Sequence, residues 1–192
     1  MGVPRISTGP MTVDEFYAFT DTRPDEEKWE LIDGEPVLNA SPSRTNQRIV
    51  TNLTLALGRR GQESNAAWEV LPGLGVRISN VKRPESDLLI LPAAAPGADL
   101  MQRDSDDVIV AFEILSPSTL DRDLRWKRTA YTSLPSLTHY VIVAQDAVEV
   151  VVIARTNGFN EQRLRSLDDL LEFANLGISL PLAEVYRNTG LR

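Results

Sequence analysis

Three charged residues interrupt otherwise apolar stretches, and their types could do hydrolytic chemistry together. Within residues 108–115, Glu113 is the one charge that breaks the apolar run 108–112 and 114–115. Alternation along a strand puts it on the face of Ile109, Ala111 and Leu115. A carboxylate buried there is costly enough that it normally has a partner or a metal. Asp87 opens the apolar run 88–91, where a strand would reach the rim of its sheet. At ~100° per residue, Lys127 shares a helical stripe with Leu120, Leu124, Tyr131 and Leu134, a stripe that should face the sheet. Arg122, Arg125 and Arg128 point elsewhere. Two carboxylates on neighbouring strands suit Mg²⁺ or Mn²⁺, which prefer hard oxygen ligands and keep positions open for water and phosphate. A nearby ammonium can stabilise a pentavalent phosphate or orient the attacking water. Acid, acid and base at strand ends therefore read as a phosphodiester-cleaving constellation, with Asp87 and Glu113 as metal ligands. For any one residue taken alone, a buried Glu113–Lys127 ion pair or a snorkelling lysine is the better explanation.

The elements that must position these residues follow from local signals. Thr12-Val-Asp-Glu15 is a capping box, predicting a short helix through about Phe19. Residues 28–33 and 35–39 read as a hairpin around Asp33-Gly34. Ser41-Pro-Ser43 offers a cap for a helix over 44–60, with Ile49, Val50, Leu53, Ala56 and Leu57 as its apolar stripe and Gly61 as its end. Strands are expected at 68–71 and 75–79 around a turn at Pro72-Gly73, then at 87–91 and 108–115. The last two are apolar on both faces, as covered central strands are. The Ala-, Pro-, Gly- and Asp-rich stretch 92–107 reads as a surface excursion. A helix over about 121–133 leads to strands at 139–144 and 148–155, and Asn157-Gly158 turns the chain into 159–164. The last residues, from 166, carry no clear pattern. One sheet flanked by helices is the natural packing solution.

Composition bounds the function. The chain has 192 residues, 42% hydrophobic and 24% charged, enough for one domain with a hydrophobic core. With no cysteine, disulfides, thiolate-bound zinc and cysteine nucleophiles are excluded. The first ten residues lack the apolar core of a signal peptide and read as a flexible tail. No apolar run approaches the ~18 residues of a membrane span, so a cytoplasmic protein is expected. The net charge of −7 argues mildly against nucleic acid as a partner. Basic residues nevertheless bunch at Arg44/Arg48, at Arg77/Lys82/Arg83, and at Arg122/Arg125/Lys127/Arg128. Each cluster alone reads best as solvated surface.

Several segments together resemble a known family. They are MTVDEFYAF (11–19), WELIDGEPV (29–37), SPSRTNQRIV (41–50), SDLLIL (86–91), FEILSPST (112–119), DLRWKRTAY (123–131) and HYVIV (139–143). The order of elements, with Asp87 before one strand and Glu113 inside the next, resembles the PD-(D/E)XK nuclease superfamily. More specifically it is similar to the Uma-two group of restriction-endonuclease-like proteins, from Met11 to about Leu182. The resemblance implies an α/β, restriction-endonuclease-like core: a mixed central sheet flanked by helices, with an N-terminal helix and hairpin. It implies that Glu30 is the N-terminal acidic residue, Asp87 and Glu113 the metal ligands, and Lys127 the lysine, moved from the strand to the next helix. Leu115 occupies the usual strand position of that lysine. Where the family often has a histidine after SPS, this chain has Asn46, so proton transfer by that group is lost. The proline usually next to the first aspartate is displaced to Pro84, so Glu85 competes with Asp87.

Other signals are weaker. Gly73-Leu-Gly75 lacks the third glycine of a nucleotide loop, since position 78 is Ile. Ser116, Ser118 and His139 lack a nucleophile elbow. Ser116-Pro117-Ser118-Thr119 reads as a turn and helix cap. Glu149 falls on the polar face of its strand, and Trp29, Trp68 and Trp126 read as packing residues. The expectation is thus a Mg²⁺- or Mn²⁺-dependent DNA endonuclease, with Glu30, Asp87, Glu113 and Lys127 catalytic. A homodimer would suit cleavage of both strands of a duplex. The alternative is a catalytically silent relative that binds nucleic acid or a protein partner.

Overall fold

A computed structural model describes residues 9–115 and 122–192. The expected tail over residues 1–10 falls almost entirely outside the described residues. So do the turn at Ser116-Pro117-Ser118-Thr119 and the stripe position Leu120.

The capping box forms as the sequence predicts. Helix α1 (Val13–Thr20) is capped by Thr12, whose hydroxyl accepts from the Glu15 N–H while Glu15 bonds back to the Thr12 N–H. Strands β1 (Trp29–Ile32) and β2 (Glu35–Leu38) make the expected hairpin. Asp33 (φ 51°) and Gly34 (φ 83°) form its two-residue turn, and both central residues having positive φ is the type I′ requirement. Beyond the hairpin, Leu31 exchanges backbone hydrogen bonds with Arg83, at 3.0 and 2.8 Å. That exchange docks β1 beside the start of the main sheet and so carries Glu30 there.

Helix α2 (Arg44–Glu63) starts at its Ser43 cap but runs three residues past the expected end, straight through Gly61. The reason is packing. A Cβ at Gly61 would stand 3.0 Å from the Trp68 ring, so the glycine makes room for tryptophan rather than stopping the helix. The turn expected at Pro72-Gly73 does not form either. One strand, β3 (Trp68–Val76), continues through both residues and keeps the same register with β4 (Glu85–Pro92) on either side of Gly73, whose pair with Asp87 is missing. Proline is tolerated because β5 (Asp104–Ser105), on the outer side of β3, pairs only with Gly75 and Val76; at Pro72 that edge is open.

The remaining strands are β6 (Val110–Leu115), β7 (His139–Ala144), β8 (Val150–Ala154) and β9 (Glu161–Leu164). They complete a seven-stranded sheet in the order β5-β3-β4-β6-β7-β8-β9. β6 and β7 are parallel, whereas the β4–β6 and β7–β8 pairs are antiparallel. The helix expected over 121–133 is two pieces. A wide π-helical turn, Arg122–Lys127, leads into α3 (Arg128–Thr132). The tail folds as a second hairpin, β10 (Leu170–Phe173) with β11 (Ile178–Pro181), followed by α4 (Leu182–Val185).

Both faces of the central strands are covered. On one, α2, the tail hairpin and α4 enclose Leu88, Ile90, Val110, Phe112, Val141 and Val143. On the other, Tyr131 and Leu134 of the α3 segment cover Leu89, Ala111, Tyr140 and Ile142. This is the mixed, helix-flanked sheet that the sequence leads one to expect. No helix among the described residues is long and apolar enough to cross a membrane.

His139, at the start of β7, is buried with its ring edge against Phe173 and Nδ1 2.9 Å from the Thr138 hydroxyl. Burial holds its pKa below the ordinary 6.5. The unfolded chain therefore takes up this proton first, and stability falls as pH drops below 6.5. Glu149 and Glu184, held low by Arg163 and Arg60, add a separate loss only below their ordinary 4.5. Urea midpoints across pH 5–7.5 should decline toward acid, and His139→Gln should flatten that slope. An NMR titration midpoint for His139 at or above 6.5 would contradict the assignment.

Candidate active site

The site begins where the sheet comes apart. β4 and β6 pair from Ile90↔Val110 to Leu88↔Phe112, and the same register continued would pair Asp87 with Glu113 and Ser86 with Ile114. Instead the ladder stops, and side chains take over its hydrogen bonds. The Ser86 hydroxyl donates to the Phe112 carbonyl at 2.8 Å. The Asp87 carboxylate accepts from the Ile114 N–H at 2.7 Å. Asn46, reaching in from the first turn of α2, offers its Nδ2 to the Ile114 carbonyl at 3.4 Å. A buried peptide group must find a partner somewhere, and these polar side chains fill the split.

Glu113 follows the strand alternation on to the α3 face of the sheet, where Tyr131 and Lys127 meet it. Its Oε1 accepts from the Tyr131 hydroxyl and its Oε2 from Lys127 Nζ, both at 2.8 Å. The same ammonium lies 2.8 Å from Glu30 Oε1 and donates to the Glu85 carbonyl at 3.1 Å. Three contacts match the three N–H bonds of a lysine. Glu30 in turn accepts the Glu85 N–H at 2.9 Å, so the backbone at Glu85 is gripped from both sides. The side chains of Glu30, Lys127 and Glu113 are 0, 3 and 4% exposed. Ionised, these three carry one net negative charge, and the half-buried Asp87 brings the group to two.

All four residues singled out from the sequence line one cleft of about 450 Å³. The Glu113–Lys127 ion pair weighed against a hydrolytic site does form, but with Glu30 as a third member. Glu85 lines the same cleft, with its carboxylate turned to Arg83 at 3.4 Å and Lys28 at 3.9 Å. Among the described residues, no three acidic or histidine side chains are grouped to hold a cation by themselves. The cluster Arg77/Lys82/Arg83 is not plain solvated surface. Arg83 is 6% exposed, donates to the Arg103 carbonyl at 2.6 Å, and packs where a Cβ on Gly75 would lie. Of the tryptophans, Trp126 donates to Asp33 at 2.8 Å and Trp29 packs edge-on against Phe19. Sequence reasoning gave Tyr131 no role beyond packing, although its place four residues after Lys127 on one stripe was the available signal. Ser86 opens the segment SDLLIL of the family resemblance, but nothing in the sequence assigns it a role of its own.

The arrangement of sheet and helices recurs in a solved structure. It superposes on the crystal structure of a protein from Anabaena variabilis ATCC 29413, described as a "putative nuclease belonging to DUF820", with a TM-score of 0.74. That match covers 92% of this chain and 98% of the other at 13% identity. No curated protein matches the chain. The chain belongs to the Uma2 family, described as "Putative restriction endonuclease", whose profile matches residues 13–183.

Removing the Lys127 ammonium strands two buried carboxylates. Lys127→Met should cost roughly 3–5 kcal/mol of unfolding free energy, the scale for breaking one side of a buried ion pair. Tyr131→Phe removes one hydrogen bond to a charged group and should cost about 1.5–3 kcal/mol. Urea denaturation of both variants measures this; a Lys127→Met protein as stable as wild type would show that the ammonium does not hold these acids.

Proposed function

We propose that this protein is a Mg²⁺- or Mn²⁺-dependent endonuclease that hydrolyses DNA phosphodiester bonds with water as nucleophile. The observation that carries this reading is one buried ammonium clasped between Glu30 and Glu113 at a cleft that Asp87 also lines. The donor chemistry fits a hard divalent cation. Asp87 and Glu113 supply carboxylate oxygens, and the two net negative charges of the group equal the charge that such an ion brings. Asp87 and Glu113 would hold it. When bound, such an ion polarises a phosphoryl oxygen and lowers the pKa of water.

The chain's own residues do the rest. Asp87 is fixed by the Ile114 N–H and Glu113 by Tyr131, so both carboxylates are oriented before substrate arrives. Lys127 Nζ can exchange one of its three contacts for a phosphate oxygen and stabilise the charge that grows there. Glu30 holds the lysine in place for that exchange. Asn46 at the cleft cannot transfer a proton, so no general base is assigned to it.

One observation favours the catalytically silent alternative. Both oxygens of Glu113 and all three lysine donors are engaged in the resting site. Activity decides between the two. Wild type should cut DNA in Mn²⁺ or Mg²⁺, and Asp87→Asn, at a half-buried position, should lose about 10²–10³ of that rate. Mn²⁺ should raise the wild-type melting temperature, following RT ln(1 + [L]/Kd), and leave Asp87→Asn unmoved. No cleavage of any DNA form, together with no Mn²⁺ shift in wild type, would sink the enzyme reading.

A further inference from the structure

The residues lining the cleft fall into two chemical groups. The charged group has just been described. The second is neutral and rich in amides: Asn39, Ser43, Asn46, Gln47 and, just after β7, Gln145. The Ser43 hydroxyl donates to Gln145 Oε1 at 2.5 Å, which ties the start of α2 to the end of β7 and orients that amide. Asn46 is 7% exposed, with Nδ2 committed to the Ile114 carbonyl, while its buried Oδ1 has no hydrogen-bond partner among the described residues. A buried acceptor left so is expensive and calls for a donor. A phosphate oxygen is itself an acceptor and cannot serve. The amine or ring N–H on a nucleobase edge can.

Size and charge point the same way. A volume near 450 Å³ is that of a small-ligand pocket, within the ~300–1,000 Å³ such sites span. Glu30 and Glu113 are almost wholly buried, so a phosphodiester reaches them only if the strand enters the cleft. In a duplex the Watson–Crick edges are engaged by the opposite strand; an unpaired strand presents them to protein amides. A duplex also carries one phosphate charge per ~1.7 Å of axis, a poor match for a chain of net charge −7.

We infer that the cleft takes an unpaired stretch of nucleic acid, with a phosphate at the acidic group and a flanking base edge on the Asn46, Gln47 and Gln145 amides. This rests on the hydrolytic reading above and narrows its substrate to single strands. One copy of the chain suffices for such a substrate.

The test is fluorescence anisotropy with the full-length protein in Ca²⁺ at low ionic strength. The probe is a short labelled mixed-sequence DNA, alone or annealed to its complement, with gels confirming that it stays intact. The single strand should bind at least about tenfold more tightly than the duplex, the scale of one well-made base contact. Asn46→Leu and Gln47→Ala should each weaken the single strand by roughly three- to tenfold and leave duplex binding unchanged. Should Asn46→Leu fail to fold, Gln47→Ala, at an exposed helix position, carries the comparison. Duplex bound as tightly as single strand, or variants that leave single-strand affinity intact, would overturn this inference and leave the endonuclease reading standing. Binding of neither form would overturn both.

Discussion

A lysine side chain with 3% exposure cannot be carried into a protein interior unless its charge is met, and most of this architecture follows from how Lys127 is met. Its partners come from three distant parts of the chain: Glu30 on the first hairpin, the Glu85 carbonyl at the start of β4, and Glu113 within β6. Each contact is therefore a tertiary constraint. The hairpin must dock beside the run-in to β4, which the Leu31–Arg83 backbone exchange accomplishes. The π-helical turn and α3 must lie over the sheet so that Lys127 and Tyr131 meet Glu113 from one side. The π-helical turn ends at Lys127 itself, and such turns recur at functional sites.

The split between β4 and β6 is the second constraint, and it explains why polar groups cluster there. A continuous ladder would have paired Asp87 with Glu113 and closed the rim with backbone alone. Ending it at Leu88↔Phe112 leaves the Phe112 carbonyl and both polar groups of Ile114 to be satisfied by Ser86, Asp87 and Asn46. Side chains bonded to a rigid backbone are fixed side chains. The opening in the sheet thus creates the cleft and orients three of the groups that line it.

How much of this is legible in the sequence depends on the range of the interaction. The capping box at Thr12, the Asp33-Gly34 turn and the apolar runs of β4 and β6 are local signals, and the structure follows them. Gly61 and Pro72-Gly73 are local signals that tertiary packing overrides. Trp68 needs the space that Gly61 leaves, and the open outer edge of β3 tolerates Pro72. Neither condition can be read within a window of neighbouring residues. At the site, a charge inside an apolar pattern exposes Glu113 and Lys127, because burial of a charge violates the pattern. Glu30 shows no such violation in its own segment and entered only through the resemblance to a family. Ser86 and the Ile114 peptide are common groups whose importance comes only from the ladder that fails to form beside them. The hairpin of β10 and β11 has a weak pattern of its own, and its place is set by the α2 face on which it packs.

The charge balance of the resting cluster links this packing to function. Ionised, the compact and nearly buried group of Glu30, Glu113 and Lys127 carries one net negative charge, and Asp87 beside it adds another. A phosphodiester brought into the cleft adds a further negative charge where water is scarce and screening is weak. Lys127 alone cannot offset that, because its positive charge is already shared by two carboxylates. Either the acidic cluster repels the phosphate or a second cation arrives with it, and on the proposed reading Asp87 and Glu113 would receive that cation. The interaction that stabilises the fold would thereby be, on that reading, the same one that leaves the cluster in need of a cation when an anionic substrate arrives.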